Sequence, residues 1–286
     1  MFIFANFKQM KTRNITLSTF LVAALAFSSQ AQHSLTQIWS SDSQLPVPES
    51  VLFSKQDKVL YVALIDGKPA EKDGKGGIAK VGLDGKIVAA DWVTGLNAPK
   101  GMGIFGSKLF VSDVTEVVEI DIKSGKIVKK HPVEGAQFLN DVTIDSKGNI
   151  YISDSSTKKV HLIKDGQVST YYEGLSGPNG LLAVGTDLLI ADSGSLKKLT
   201  SSKQISVIAE GMDKSTDGIE QVKPGEYIVS SWVGMVYYVK ADGTTEKLLD
   251  TSADKTNSAD IGYDPAKKVV YVPTFGKNNV VAYQLK

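Results

Sequence analysis

Four short, oxygen-bearing side chains stand at matching places along this chain: Glu49, Asn140, Asn179 and Asp217. Each lies about ten to twelve residues before a run of β-branched and aromatic residues, and the same offset reaches Lys100 and Ala259 in two further units. Two carboxylates and two amide carbonyls are donors that a hard cation such as Ca²⁺ accepts, in a flexible shell of roughly six to eight oxygens. The column contains no histidine or cysteine, which argues against zinc or copper. Asn, Asp and Gly are also ordinary turn residues at strand starts. One such position would mean no more than a turn; four of six ring positions sharing one polarity favour a cation site.

The runs themselves define the elements that must carry this column. Leu60-Tyr61-Val62-Ala63, Leu109-Phe110-Val111-Ser112-Asp113, Ile150-Tyr151-Ile152-Ser153-Asp154, Leu188-Leu189-Ile190-Ala191-Asp192, Tyr227-Ile228-Val229-Ser230-Ser231 and Val270-Tyr271-Val272-Pro273-Thr274 are versions of one phrase. They have strand length and composition and no helical period. Between strands sit Asp84-Gly85, Ser124-Gly125, Lys147-Gly148, Asp165-Gly166 and Asp242-Gly243, the chemistry of tight hairpins.

Six copies at a period of about 40 residues predict an all-β, six-bladed β-propeller of four-stranded blades. The last unit, Ala259 to Lys286, shows only three strands, and Leu35 to Trp39 stands alone near the start. Pairing these two completes the sixth blade and removes open sheet edges. A two-sheet sandwich does not explain a period of this length. In a propeller the aligned positions converge on the central axis at one face.

Residues 1–31 read as a signal peptide: Lys8, Lys11 and Arg13 precede an apolar run from Ile15 to Phe27, and Ser29-Gln30-Ala31 supplies a cleavage site. A start at Met10 would leave that signal complete. The expected mature domain is 32–286, periplasmic or secreted, with no membrane anchor after cleavage and a monomeric state. There is no cysteine, hence no disulfide or thiolate site. Arg13 is the only arginine; without the leader, 29 lysines face 31 acidic residues, a net charge near −2. A near-neutral surface without an arginine fork excludes nucleic acid as a partner and points to a small molecule.

Pro48-Glu49-Ser50-Val51, Leu139-Asn140-Asp141-Val142, Pro178-Asn179-Gly180-Leu181 and Thr216-Asp217-Gly218-Ile219-Glu220 resemble the four metal-binding motifs of the senescence-marker-protein/gluconolactonase/regucalcin group, whose wider relatives are paraoxonases and diisopropylfluorophosphatase. The resemblance runs in order through the mature chain. It implies that Glu49, Asn140, Asn179 and Asp217 hold a catalytic Ca²⁺ or another divalent cation, and that the activity is hydrolysis of lactones, esters or organophosphates. Asp217 would activate water or attack directly, and Lys100, Phe138 and Asp141 would face the substrate.

The chain departs from that pattern at Phe138, where sugar lactonases of the group carry a substrate-gripping arginine. A sugar-acid lactone is therefore not the expected substrate; Phe138 either lines a more apolar pocket or packs. Lys100 is a cation in a cation-binding ring, and three readings stand: it snorkels outward, it binds an anionic group, or it replaces the metal's charge. His131 and His161 are expected on outer strands or turns, at the surface or half-buried, and Trp39, Trp92 and Trp232 in the core. The stretch Gly67 to Gly77 lacks a phosphate-loop ending and reads as a loop that partly covers the channel. Against the hydrolase stands a second reading, a non-catalytic binding propeller with a structural ion.

Overall fold

The β-branched and aromatic phrases form the second strand of every blade: Val59–Leu64, Lys108–Asp113, Ile150–Asp154, Asp187–Asp192, Glu226–Ser231 and Val269–Pro273. The computed structural model describes residues 1, 2 and 33–286; the leader expected over residues 1–31 lies, from residue 3 on, outside the described residues. From His33 to Lys286 the chain is one compact unit. Six antiparallel sheets of four strands follow one another in chain order, the arrangement of a six-bladed propeller.

The sixth sheet closes the ring. Leu35–Ser40 pairs antiparallel with Val280–Leu285, so the first strand of the described unit forms the outer edge of the last blade. A second closure lies at the axis: the Asp260 N–H donates to the Glu49 carbonyl at 2.9 Å, and the Val51 N–H donates to the Asp260 carbonyl at 3.0 Å. His33 secures the entry of the chain, its ring stacked 3.7 Å from that of Tyr238 and hydrogen-bonded to Glu246 at 2.7 Å.

The core is the set of layers between blades. Alternate residues of the second strands enter the layers on either side, as Leu60 and Val62 do against Tyr271 and Ala282, while Tyr61 and Ala63 face Leu109 and Val111. The glycines of the five predicted turns all adopt positive φ, and Asp165 and Gly166 do so together, at 51° and 77°, as a tight hairpin requires.

The ends of the repeated phrase do structural work that the sequence did not reveal. Asp113, Asp154 and Asp192 are each at most 1 % exposed. Their carboxylates accept backbone N–H groups of the segment entering the innermost strand of the same blade: Asn97 and Ala98, Gln137 and Phe138, Ser176 and Gly177. Serines just before the end stitch strands at the axis. Ser112 donates to the Asn140 carbonyl of the next blade, and Ser230 donates to the Ala259 carbonyl at 2.7 Å. In the second, third and fifth blades the small residue of the phrase is thus a hydroxyl that bonds the inner strands.

Two expectations are corrected. His131 and His161 are buried, not at the surface: His131 is the one buried residue of the outermost strand Lys126–Pro132 and meets Glu119 at 3.2 Å, while His161 lies on the third strand of its blade and approaches Asp154 at 4.0 Å. Trp39 and Trp92 pack beside Tyr271 and Tyr61 as expected, but Trp232 is 42 % exposed, because it lies just past the end of its strand.

Candidate functional site

The innermost strands Pro48–Ser54, Pro99–Phe105, Leu139–Ile144, Pro178–Val184 and Thr216–Lys223 carry Glu49, Lys100, Asn140, Asn179 and Asp217 at the same place, one residue in from the start. In each strand the pairing register with its neighbour breaks there: between Pro48 and Ser50, Pro99 and Met102, Leu139 and Val142, Pro178 and Leu181, and Thr216 and Ile219. Such irregularities re-aim side chains that a regular pleat would alternate between faces. Repeated around the ring, they bring these side chains together.

Glu49, Asn140, Asn179 and Asp217 line a single cavity of about 310 Å³. Three of them present buried oxygens without a hydrogen-bond partner: Glu49 Oε2, Asn179 Oδ1 and Asp217 Oδ1. A buried acceptor left unmade is costly. Asn140 is oriented by its Nδ2, which donates to Ser155 at 3.2 Å, while the Ser155 hydroxyl donates to the Pro178 carbonyl at 2.7 Å. Two carboxylates and two amides with oxygens to spare fit a hard dication. Among the described residues, no three His, Cys, Asp or Glu side chains cluster as a metal site, so any ion held here would depend on the two amides.

The electrostatics agree with that fit. Burial pushes the Glu49 carboxyl up to about 8 against the pull of the Lys100 ammonium, and the Asp260 charge adds to the rise. Burial, followed by the charges of Glu49, Asp260 and Asp141, holds Asp217 well above the carboxylate range, with an Asn179 hydrogen bond pulling the other way. Carboxyls so placed retain protons unless a positive charge takes their place.

Lys100 does not snorkel. It is 1 % exposed; its Nζ donates to the carbonyls of Pro69 at 2.8 Å and Ala98 at 2.9 Å, and lies 4.5 Å from the centroid of the Phe138 ring. Burial lowers its proton affinity, and Glu49 and Asp113 oppose that. The ammonium thus anchors the loop after Val59–Leu64, the loop expected to cover the channel, whose Pro69 lines the cavity.

Asp141 does not line this cavity. Its carboxylate accepts the Val142 and Leu181 N–H groups, each at 2.6 Å, and so ties the third blade to the fourth. With Asp260, which accepts the Ser50 hydroxyl at 2.5 Å, it lines a second cavity of about 220 Å³ that shares no lining residue with the first. Burial, with the Asp260 charge, raises Asp141 well above its usual value, and burial raises Asp260 to about 7 against the Ser50 hydrogen bond. Gly218 makes room for this tier: a Cβ there would meet Asp260 Oδ1 at 2.4 Å.

The rest of the first cavity is an apolar wall that the sequence reading missed. Ile65, Pro69, Phe138, Trp232 and Phe275 line it. Four blades contribute, and Ile65, Trp232 and Phe275 each lie within two residues of the end of their blade's second strand. Val114, Ser155 and Ser193 hold that place in the second, third and fourth blades and do not line the cavity. Phe275 has φ of +50°, and Val114 and Ser193, at the same place in the second and fourth blades, have 58° and 49°, so this left-handed turn belongs to the repeat.

The sequence matches no protein-family model, and no curated protein matches it. The shape, in contrast, has solved counterparts. A streptogramin B lyase superposes with a TM-score of 0.66 at 10 % identity, covering 89 % of this chain and 98 % of that one. A catalytically inactive histidine-to-alanine variant of virginiamycin B lyase from Staphylococcus aureus, with quinupristin, superposes with a TM-score of 0.61 at 13 % identity, covering 89 % of this chain and all of that one. At such identities the likeness is one of fold.

Proposed function

We propose that this chain is an exported, cation-dependent hydrolase of neutral lactones or esters, as its resemblance to the senescence-marker-protein/gluconolactonase group implies. The observation that carries the proposal is the set of three partnerless buried oxygens on Glu49, Asn179 and Asp217, facing one cavity with Asn140. Glu49, Asn140, Asn179 and Asp217 would hold the ion, Ca²⁺ or another divalent cation. When bound, it would polarise an acyl oxygen and favour the ionised form of both carboxyls.

The chain's own groups supply the rest. The ionised Asp217 takes a proton from water as the water oxygen adds to the acyl carbon, and gives it to the departing alkoxide as the ester C–O bond breaks. Glu49 holds charge two blades away from Asp217, and Ser155 keeps the Asn140 amide in one orientation. The Pro69 loop and the aromatic wall restrict water. No histidine lines the cavity, so the proton is handled by a carboxylate; the lyase neighbours, one inactivated by loss of a histidine, share the fold and do not supply a base. The leader motif supports a periplasmic or secreted location.

The test joins stability to turnover. The leaderless protein is melted with chelator and with Ca²⁺ restored, then assayed on a panel of lactones and esters, alongside Asp217→Asn. A dication at 100 times its Kd adds about 2.7 kcal/mol, or roughly 5–10 °C for a domain of this size. The expected result is that shift, Ca²⁺-dependent turnover, and loss of about a hundredfold or more in kcat for Asp217→Asn. A metal-dependent melt without turnover of any ester would instead make the protein a binding propeller.

A further inference from the structure

Trp232 and Phe275 meet at an angle of 80° with their centroids 5.5 Å apart, at the edge of the cavity floored by Asp217 and Asn179. A flat ring entering such a corner parallel to one of them is edge-on to the other, and both arrangements are favourable for aromatic pairs. The corner is built to stay in place. The Trp232 N–H donates to the Ser215 carbonyl at 2.8 Å, and the Trp232 carbonyl accepts the Asn257 amide at 2.8 Å. The Phe275 carbonyl accepts the Asn278 N–H at 3.2 Å, and its ring packs with Ile65, Ala98 and Val114. These bonds fix the backbone from which the Trp232 ring projects at the mouth.

The side chains of this cavity by themselves offer an anion nothing. Lys100, the one cation that lines it, is 1 % exposed and already donates to two carbonyls. Its other charged groups are the carboxyls of Glu49 and Asp217. A volume of about 310 Å³ stands at the lower end of small-ligand pockets, roughly 300–1,000 Å³.

We infer that the substrate is a neutral ester or lactone bearing a flat aromatic ring, and that Trp232 and Phe275 select that ring in the corner while the acyl group lies over the polar floor. The assignment rests on the proposed hydrolytic site for the place of the ester bond. The ring-binding corner is set by the wall alone.

Calorimetric titration of the leaderless protein with Ca²⁺ tests it, using two unreactive amides of one acyl group, N-phenylbutanamide and N-cyclohexylbutanamide. The phenyl compound should bind about fivefold to tenfold more tightly, the ratio an aromatic pair contributes beyond its area. Trp232→Ala should erase that preference. Phe275→Asn, which suits a left-handed backbone, should reduce the preference. Equal affinity for the two amides, or a preference unchanged in Trp232→Ala, overturns the inference. Kinetics on benzyl and cyclohexylmethyl butanoate, whose leaving alkoxides are close in basicity, separate it from the proposed function. Turnover of both with equal kcat/KM removes the aromatic selection and leaves the hydrolase. Tight, Trp232-dependent binding of the phenyl amide with neither ester cleaved removes the hydrolase and leaves the aromatic site.

Discussion

The Lys100 ammonium lies 4.5 Å from the centroid of the Phe138 ring, held from behind by the carbonyls of Pro69 and Ala98. A cation lodged beside Glu49, Asn140, Asn179 and Asp217 thus faces a ring and two backbone oxygens, and forms no ion pair with the carboxylates. Its positive field still reaches Glu49, whose rise it opposes.

Replacing that charge should strengthen cation binding. In Lys100→Met the apolar stem remains and the ammonium's repulsion of a bound dication is gone. Ca²⁺ affinity is expected to increase about tenfold, equivalent to about 1.4 kcal/mol. Release of Pro69 should make the loop after Val59–Leu64 more open to protease. Calorimetric titration and limited proteolysis measure the two effects; weaker Ca²⁺ binding would show that Lys100 supports the ion.

The high proton affinity of Glu49 sets a pH dependence with a definite sign. Its carboxyl stands near 8 in the fold against an ordinary 4.5, so the folded chain keeps a proton that the unfolded chain releases. The contribution to stability is full below the unfolded value and is lost as pH rises through the folded one. The chelated protein should lose stability between about pH 5 and pH 9, with a flatter slope in Glu49→Gln. Ca²⁺ competes with that proton, so its affinity should climb across the same window. A chelated melt with equal slopes in both proteins would contradict the burial argument.

Gly180 is a close-approach position. A Cβ there would meet the Asp217 carbonyl oxygen at 1.8 Å, a backbone atom that cannot swing aside. Gly180→Ala is expected to displace the strand start that carries Asp217, weakening Ca²⁺ about tenfold or more and destabilising by about 1–3 kcal/mol. Titration and urea unfolding would report both, and normal values would show that the blades can separate there at little cost.

Asp113 tests the structural aspartates apart from the cavity. Its carboxylate accepts the Asn97 and Ala98 N–H groups in a fully buried place. Asp113→Ala orphans both donors and should cost about 2–4 kcal/mol in urea unfolding, with Asp113→Asn recovering part of the loss. Ca²⁺ affinity measured on the folded fraction should stay close to that of the parent.

Periodicity made the ring legible before any coordinates. Each blade uses one phrase for its second strand, so the offset from phrase to axis is constant, and Glu49, Asn140, Asn179 and Asp217 could be aligned by counting. Blade closure was equally visible, because a missing strand at one end matched a spare strand at the other. The fate of Lys100 was not, since its partners Pro69 and Ala98 are backbone carbonyls and carry no residue signature.

The same limit explains the remaining differences. Asp141 follows Asn140 directly, yet a register break turns it into a tie between blades lining the rear cavity. Trp232 reads as core by composition and stands at the mouth, because a hairpin end places it there next to Phe275 from another blade. Sequence alone determined the blade count, the closing strand and the four oxygen-bearing residues of the ring, because those depend on strand period and on residue type at a fixed offset. Tertiary structure decided which side chains share a cavity, which oxygens go without partners, and where the apolar wall stands. Those depend on how loops from different blades meet across the axis, a distance no local pattern encodes.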